Sequence, residues 1–186
     1  MAEILQNRIV RIHGDPWTGK TFFACFIAAD YGRIYANFEI YDKARPGKTR
    51  NGKIASLYEI DKIKYSPNKG IVILDEGGLN VNSRRSSSNE NLEAAKLAML
   101  WRKKNVDILM IAQLDYSLDK YFRDLASVNI HMRSWRVGKE KLMFEATIKD
   151  RSDEILNIFE VDLMEWSKIS GITYDTKERS IFSDSK

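Results

Sequence analysis

The amino-acid sequence predicts an α/β fold in which a central, mostly parallel sheet is flanked by helices. Three stretches of the 186 residues support this prediction. A short alternating strand, a glycine-containing loop and an apolar helix follow one another over residues 8–29. Residues 71–74 are a continuous apolar run, and residues 107–113 are largely apolar. Such runs are typical of parallel strands that are covered on both faces.

The loop after the first strand has the spacing of a phosphate-binding loop. Residues 14–21 read GDPWTGKT and match the pattern G-x-x-x-x-G-K-[ST] at every fixed position. Its glycines let successive backbone N–H groups face anionic oxygens, and the following helix N-terminus adds free donors. The predicted nucleotide-binding residues are Gly14, Asp15, Pro16, Trp17, Thr18, Gly19, Lys20 and Thr21. We expect Lys20 to reach the β- and γ-phosphates and the Thr21 hydroxyl to ligate Mg²⁺.

The apolar run at residues 71–74 is followed by two acids, which predict the metal-binding and catalytic half of a nucleotide site. Asp75 follows the run directly and is expected to hold Mg²⁺ at the carboxyl end of a central strand. Glu76 occupies the position of a carboxylate that polarises an attacking water. A strand that merely ends in a polar turn would look similar. The phosphate-loop pattern upstream favours nucleotide hydrolysis.

Further catalytic candidates lie after these acids. Gln113 ends a strand and would contact the lytic water or the γ-phosphate if that strand neighbours the one ending at Asp75. Arg84, Arg85 and Arg123 are candidates for an arginine that stabilises the transferring phosphoryl group from a neighbouring subunit. For Arg84 or Arg85 alone, an ordinary solvated surface position explains the sequence equally well.

The positive charge is concentrated in residues 41–53, which we call the basic segment. The chain carries a formal net charge of +4, and this segment holds five lysines and arginines against one aspartate. Pro46, Gly47 and Gly52 predict a mobile surface loop. Contact with nucleic-acid phosphates and simple solvation are equally compatible with this composition.

Composition predicts one soluble domain over residues 1–186, with a core over about 8–150 and a C-terminal extension over 151–186. No apolar run is long enough to span a bilayer, and the first residues lack a signal-peptide pattern. Cys25 is the only cysteine and lies in an apolar helix, so we expect a buried thiol without a disulfide. These features predict a cytoplasmic protein without membrane insertion.

The remaining elements follow from periodicity. Residues 33–38 predict a second strand, and residues 54–64 and 90–104 predict amphipathic helices. A short helix is expected over residues 118–125. The later strands are predicted at 127–135 and 141–148, joined as a hairpin, with another at 154–161.

Several local sequences resemble one group of ATPases. The stretches are DEGG at 75–78, NSRRS at 82–86, RKKNVD at 102–107, AQ at 112–113 and LDKYFR at 118–123. Together with the two phosphate-site motifs they resemble the HerA/FtsK superfamily of catalytic-glutamate P-loop ATPases. That group includes the DNA-packaging ATPases of viruses with internal membranes and relatives in archaeal viruses and plasmids, which these stretches also resemble. The resemblance covers roughly residues 8–150.

This resemblance implies a RecA-like (ASCE-type) sheet of strand order 5-1-4-3-2 with a C-terminal β-hairpin extension. It also implies ATP and Mg²⁺ as cofactors, a homo-oligomeric ring that is often a hexamer, and translocation of double-stranded DNA. A viral capsid or membrane protein would be a further partner, and the host cytoplasm or the virion the location. The family assigns phosphate and metal binding to Lys20, Thr21 and Asp75, water activation to Glu76 and sensing to Gln113.

Two departures from the family pattern are evident. Asp15, Pro16 and Trp17 stand where small or basic residues are more usual. The chain also lacks the extra domains of the cellular members, so it would be a minimal motor. Two other functions stay open: a virion assembly or secretion ATPase of the zonula-occludens-toxin type, and an ATP-dependent switch or scaffold with little turnover.

Overall fold

The computed structural model describes residues 8–42, 44–45, 48–54, 57–75, 101–112, 124–138, 141–162, 165 and 172–174. Within these residues, one sheet has eight strands in the order β4-β2-β5-β6-β1-β7-β8-β9, and a second sheet pairs β10 with β3. The strands are β1 Ile9–His13, β2 Arg33–Ala36, β3 Ile40–Asp42, β4 Gly52–Lys53, β5 Gly70–Asp75, β6 Val106–Ala112, β7 Val128–Val137, β8 Lys141–Asp150, β9 Ile155–Asp162 and β10 Ile172–Tyr174. The helices are α1 Lys20–Ala28, a 3-10 helix Leu57–Lys62 and α2 Trp101–Lys104.

The middle of the large sheet has the predicted parallel order. β2, β5, β6, β1 and β7 pair in parallel with their neighbours. Numbered among themselves in chain order, these five strands run 5-1-4-3-2 from β7 to β2. The prediction of a mostly parallel α/β sheet is therefore confirmed. The full order differs in detail, because β4 extends the sheet beyond β2 and two antiparallel strands extend it beyond β7.

The predicted hairpin forms the antiparallel side of the sheet. β7 and β8 pair over their whole length, from Val128 opposite Asp150 to Val137 opposite Lys141. β7 is at once the fifth parallel strand, beside β1, and the first strand of this hairpin. The strand predicted at 154–161 is present as β9, which pairs with β8.

Both faces of the central strands are buried, which explains their continuous apolar sequences. Along β5, Ile71 and Ile73 belong to a core with α1, whereas Val72 and Leu74 belong to a core on the opposite face. Successive side chains of a strand point to opposite faces, so each core receives alternate residues. The first core includes Phe23, Ala24 and Ile27 of α1, and the second includes Ile60 and Trp101. Within the described residues, no helix has the length and apolarity needed to cross a bilayer.

The helix predicted over 54–64 is shorter than expected. The structure has a 3-10 helix over Leu57–Lys62 only. Ile54 N–H donates to the Ala36 carbonyl oxygen at 3.0 Å, so this end of the segment stays extended beside β2. The apolar face was predicted correctly, since Ile54, Ile60 and Ile63 are all buried. Of the helices predicted at 90–104 and 118–125, residues 90–100 and 118–123 lie outside the described residues.

The described residues of the basic segment include strand residues and specific hydrogen bonds where a loop was predicted, and its mobility stays a prediction. The segment begins in β3 and ends in β4, and Tyr41 bridges Thr49. Backbone and side-chain bonds fix it: Arg50 N–H donates to the Ile40 carbonyl at 2.7 Å, and the Arg50 guanidinium donates to the Ala29 carbonyl at 3.0 Å. Pro46 and Gly47 lie outside the described residues.

Candidate nucleotide-binding site

The candidate site lies where the carboxyl ends of two parallel strands meet the start of α1. β1 ends at His13 and leads into the loop of residues 14–19, after which α1 begins at Lys20. β5 ends at Asp75 on the same edge of the sheet, separated from β1 by β6. Open α/β sheets bind ligands at this edge.

The two fixed glycines of the loop are required by geometry. Gly14 has φ 145° and Gly19 has φ 78°, both in the region that favours glycine. A Cβ on Gly14 would overlap the backbone carbonyl of Met132, and one on Gly19 would lie 2.7 Å from the Phe144 ring. Trp17 also has positive φ, 69°, a conformation that a large side chain rarely adopts. These contacts and φ angles define one specific backbone conformation of the loop.

Lys20 stabilises this backbone conformation of the loop through hydrogen bonds to two of its carbonyl oxygens. Its side chain is only 7% exposed, and Nζ donates to the carbonyl oxygens of Gly14 at 3.0 Å and Asp15 at 2.7 Å. The Thr18 hydroxyl donates to the same Asp15 carbonyl at 2.8 Å. The ammonium therefore lies within the loop to which the sequence pattern assigns the β- and γ-phosphates of a nucleotide.

The predicted metal ligands are brought together. The Thr21 hydroxyl donates to Asp75 Oδ2 at 2.7 Å, joining the first turn of α1 to the end of β5. A hydroxyl oxygen beside a carboxylate oxygen is the hard donor set that Mg²⁺ accepts through direct or water-mediated bonds. Thr21 and Asp75 therefore fit a magnesium ion, and such an ion would neutralise charge on bound phosphates.

Asn37 is a site residue that the sequence analysis missed. It follows β2 directly, and its amide makes two hydrogen bonds to one residue of the neighbouring strand. Nδ2 donates to the Asp75 carbonyl at 2.7 Å, and Oδ1 accepts from the Asp75 N–H at 2.8 Å. The signal that singled out Gln113, a polar residue just past a buried strand, applies equally to Asn37.

The second missed feature is the wall that the β7–β8 hairpin forms along the loop. Met132 faces Gly14, Phe144 faces Gly19, and the Ser134 hydroxyl approaches the Trp17 carbonyl at 3.5 Å. No local pattern could reveal these contacts, because they join residues more than a hundred positions apart.

The wall also carries an ion pair. The Arg133 guanidinium donates to Glu145 Oε1, and the Thr147 hydroxyl donates to the same oxygen at 2.9 Å. These bonds, with Arg133 the largest contributor, lower the pKa of the Glu145 carboxyl below its usual range. Glu145 is buried although its partner Arg133 is mostly exposed. The carboxylate is thus held ionised and oriented by Arg133 and Thr147.

Cys25 behaves as predicted, as a buried residue of α1 that is 3% exposed. Burial, and secondarily the negative charge of Asp75, raises the pKa of its thiol well above the usual range. A thiol that is not ionised is a poor nucleophile, and Cys25 packs in the core with its neighbours on α1.

The structure thus brings together residues 14–21 with Asp75. The remaining predicted catalytic residues lie outside the described residues: Glu76, Arg84, Arg85, Gln113 and Arg123. Their roles stay predictions. One placement bears on Gln113: β6, which it follows in sequence, lies between β1 and β5.

Comparison with known proteins gives matches among solved structures only. No family model matches the sequence, and no curated protein matches it. The chain is similar to the N-terminal domain of zonular occludens toxin from Neisseria meningitidis, with 20% identity, 94% of this chain and 98% of that chain covered, and a TM-score of 0.54. It is similar to the flagellar accessory protein FlaH from Methanocaldococcus jannaschii, with 12% identity, coverage of 92% and 90%, and a TM-score of 0.52.

A third similar structure is B204, the DNA-packaging ATPase from Sulfolobus turreted icosahedral virus. It is 15% identical, with 83% of this chain and 97% of that chain covered and a TM-score of 0.50. At these identities the similarity concerns the fold. Taken with the parallel strand order and the loop geometry, it shows that the chain has the RecA-like P-loop NTPase fold.

Proposed function

We propose that this protein is an ATP-hydrolysing motor that translocates or packages double-stranded DNA, the genome-packaging ATPase of a virus or related mobile element. The observation that carries the nucleotide part is the bond from Thr21 to Asp75 beside the buried Lys20. It joins the glycine-containing loop and the start of α1 to Asp75 at one end of the sheet, which supports a site that holds Mg²⁺-ATP.

Hydrolysis is proposed from the residue that follows the metal-binding acid. Glu76 is next to Asp75 in the chain and would activate the attacking water. Gln113 would sense the γ-phosphate, and one of Arg84, Arg85 and Arg123 would act across a subunit interface. A site completed by a neighbouring chain would make hydrolysis depend on assembly into a homo-oligomeric ring, for which a hexamer is the expected form.

DNA as the cargo is proposed from two independent supports. One is the shared fold with B204, which is itself a DNA-packaging ATPase. The other is the basic segment, in which the described Lys48 and Lys53 are exposed. Exposed cations on an ordered turn suit contact with a phosphate backbone.

A second candidate is a virion assembly or secretion ATPase of the zonula-occludens-toxin type. It is favoured by the near-complete mutual coverage with the N-terminal domain of zonular occludens toxin. The two candidates share the nucleotide chemistry and differ in cargo. Hydrolysis that responds to double-stranded DNA favours the DNA motor, and hydrolysis that ignores it favours the assembly ATPase.

Steady-state ATP hydrolysis with Mg²⁺ tests the proposed chemistry. We expect Glu76→Gln to lower turnover at least about a hundredfold, the usual contribution of a general base, while ATP binding is kept. Glu154→Gln is the matched control, because Glu154 is an exposed glutamate at the turn before β9. Equal turnover of the wild type and Glu76→Gln would refute the assignment of Glu76. If both turn over equally slowly, a nucleotide-dependent switch is the better account.

A further inference from the structure

The end of β2 beside Asp75 has an unusual construction. The last pair in the register between β2 and β5 is Ala36 with Ile73, so β5 continues two residues further than this pairing. At Asp75 the polar groups of the backbone are bonded instead by the Asn37 side chain, at 2.7 and 2.8 Å. The side-chain amide has a carbonyl oxygen that accepts and an NH₂ group that donates. It therefore makes the same two hydrogen bonds to Asp75 that the backbone of a neighbouring strand would make.

This substitution lets the chain leave the sheet while Asp75 stays tied to it. Directly after Asn37, the Phe38 carbonyl accepts a bond from Asn51 Nδ2 at 2.8 Å, and Ile40 N–H donates to Asn51 Oδ1 at 2.9 Å. A second asparagine amide thus holds the departing chain, and with it the backbone from which Asn37 extends. The side chain of Asn37 is therefore held by Asp75, and the backbone that follows it is held by Asn51.

We propose that Asn37 is a positioning residue for the metal-binding acid. It acts through the backbone of Asp75, to which its side-chain amide is bonded twice. The bond to the Asp75 N–H fixes the residue whose carboxylate receives the Thr21 hydroxyl. The bond to the Asp75 carbonyl fixes the peptide plane that leads into Glu76, because that carbonyl belongs to the planar peptide linking the two residues.

The chemistry of Mg²⁺ makes such positioning consequential. Magnesium demands near-ideal octahedral geometry with bonds of about 2.0–2.1 Å, so small displacements of an acid oxygen weaken its hold. Groups that orient metal ligands typically change metal affinity by about 10–100-fold when they are removed. The inference rests on the proposed Mg²⁺-nucleotide site and adds to it the residue that sets its geometry.

A measurement without any ligand tests the two hydrogen bonds between Asn37 and the Asp75 backbone. Hydrogen exchange at the Asp75 amide should be at least several-fold faster in Asn37→Ala than in the wild type, because its acceptor is removed. In the isosteric Asn37→Asp, the acceptor oxygen stays while the donor to the Asp75 carbonyl is lost. Asn37→Asp should therefore keep more of the protection. Unchanged exchange in Asn37→Ala would overturn the inference.

Binding of ATPγS with and without Mg²⁺ then tests the consequence. The Mg²⁺ factor is the ratio of ATPγS affinity with Mg²⁺ to the affinity without it. We expect this factor to fall about tenfold or more in Asn37→Ala. The affinity without Mg²⁺ should stay within about twofold of the wild type. The matched control is Asn105→Gly, which removes another asparagine amide that bonds two carbonyls, those of Ser66 and Pro67. Asn105 has φ 55°, so glycine is accepted there without backbone strain.

The outcomes separate the two proposals. If the wild type shows no Mg²⁺-dependent binding, the proposed function fails and the role of Asn37 falls with it. If the wild type responds to Mg²⁺ and Asn37→Ala responds equally, only the role of Asn37 is refuted. A lower melting temperature without any change in the Mg²⁺ factor, as expected for Asn105→Gly, would mark Asn37 as merely structural. If the alanine variant does not fold, Asn37→Asp replaces it in the binding test. Its Mg²⁺ factor should also fall, because the donor to the Asp75 carbonyl is lost.

Discussion

The Thr21 hydroxyl donates a 2.7 Å hydrogen bond to Asp75 Oδ2 across 54 positions of the chain. This bond joins the helix that begins after the phosphate loop to the strand that carries the acid. It brings two of the residues chosen from local patterns alone to one point in space.

The first prediction concerns the hydroxyl. Thr21→Val keeps the shape of the side chain but removes its oxygen, so Mg²⁺-dependent ATP binding should weaken about tenfold or more. Binding without Mg²⁺ should change little. Thr21→Ser restores the oxygen and should recover most of the affinity. Titration calorimetry with and without Mg²⁺ measures both quantities, and a Thr21→Val variant with unchanged Mg²⁺ dependence would contradict the metal assignment.

The second prediction concerns the phosphate-binding cation. Lys20→Ala removes a buried ammonium that lies over the loop, so ATP affinity should fall at least about a hundredfold. Lys62→Ala is the control, because that side chain is 74% exposed in an ion pair away from the loop. Equilibrium binding of a fluorescent ATP analogue reports the change. Tight binding by Lys20→Ala would refute the phosphate-loop assignment.

The third prediction separates backbone strain from steric overlap in the loop. Gly19→Ala places a Cβ 2.7 Å from the Phe144 ring at φ 78°, whereas Gly138→Ala meets nothing within 4 Å at φ 67°. Gly138→Ala should cost only the left-handed strain, about 1–2 kcal/mol. Gly19→Ala should cost more.

The difference between the two glycine variants should shrink in a Phe144→Leu background, where the ring is absent. Denaturant unfolding of the single and double variants measures this. Equal costs at both glycines would show that the hairpin wall does not constrain the loop.

The fourth prediction is a pH dependence of stability. Bonding to Arg133 lowers the pKa of Glu145 in the folded state below its value in the unfolded chain. The stabilisation is therefore fully present above about pH 4.3, the ordinary glutamate pKa, and is lost as pH falls through the lowered value. The difference in unfolding free energy between wild type and Glu145→Gln should shrink with acidity over this window.

The same difference measured in an Arg133→Gln background should be smaller and should depend less on pH, because the largest cause of the shift has been removed. Urea unfolding at a series of pH values gives all four stabilities. A difference that stays constant with pH in the wild-type background would contradict this account of Glu145.

The phosphate loop could be predicted from sequence because its chemistry is local. Gly14, Gly19 and Lys20 lie within seven positions, and backbone conformation fixes which residue types fit there. Asp75 could be predicted because a buried strand that ends in an acid is visible without knowing its neighbours. The parallel order itself came from resemblance, and the structure confirms it for the five central strands.

Asn37 and the hairpin wall could not be predicted in the same way. The role of Asn37 depends on β2 lying beside β5, 38 positions away, and that of Phe144 on β8 passing the loop. The bonds of the basic segment were missed for a similar reason, since they join Asn51 to Ile40 and Arg50 to Ala29 and Ile40. Composition describes the flexibility of an isolated segment and does not include bonds formed with distant parts of the chain.

The central claim is tested most directly by ATP turnover measured with and without double-stranded DNA at low salt. The account predicts that DNA raises the turnover of the wild type several-fold, that added salt weakens this stimulation, and that Glu76→Gln abolishes turnover under both conditions. Turnover that is present in the wild type but indifferent to DNA at low salt would contradict the claim that this protein is a DNA motor.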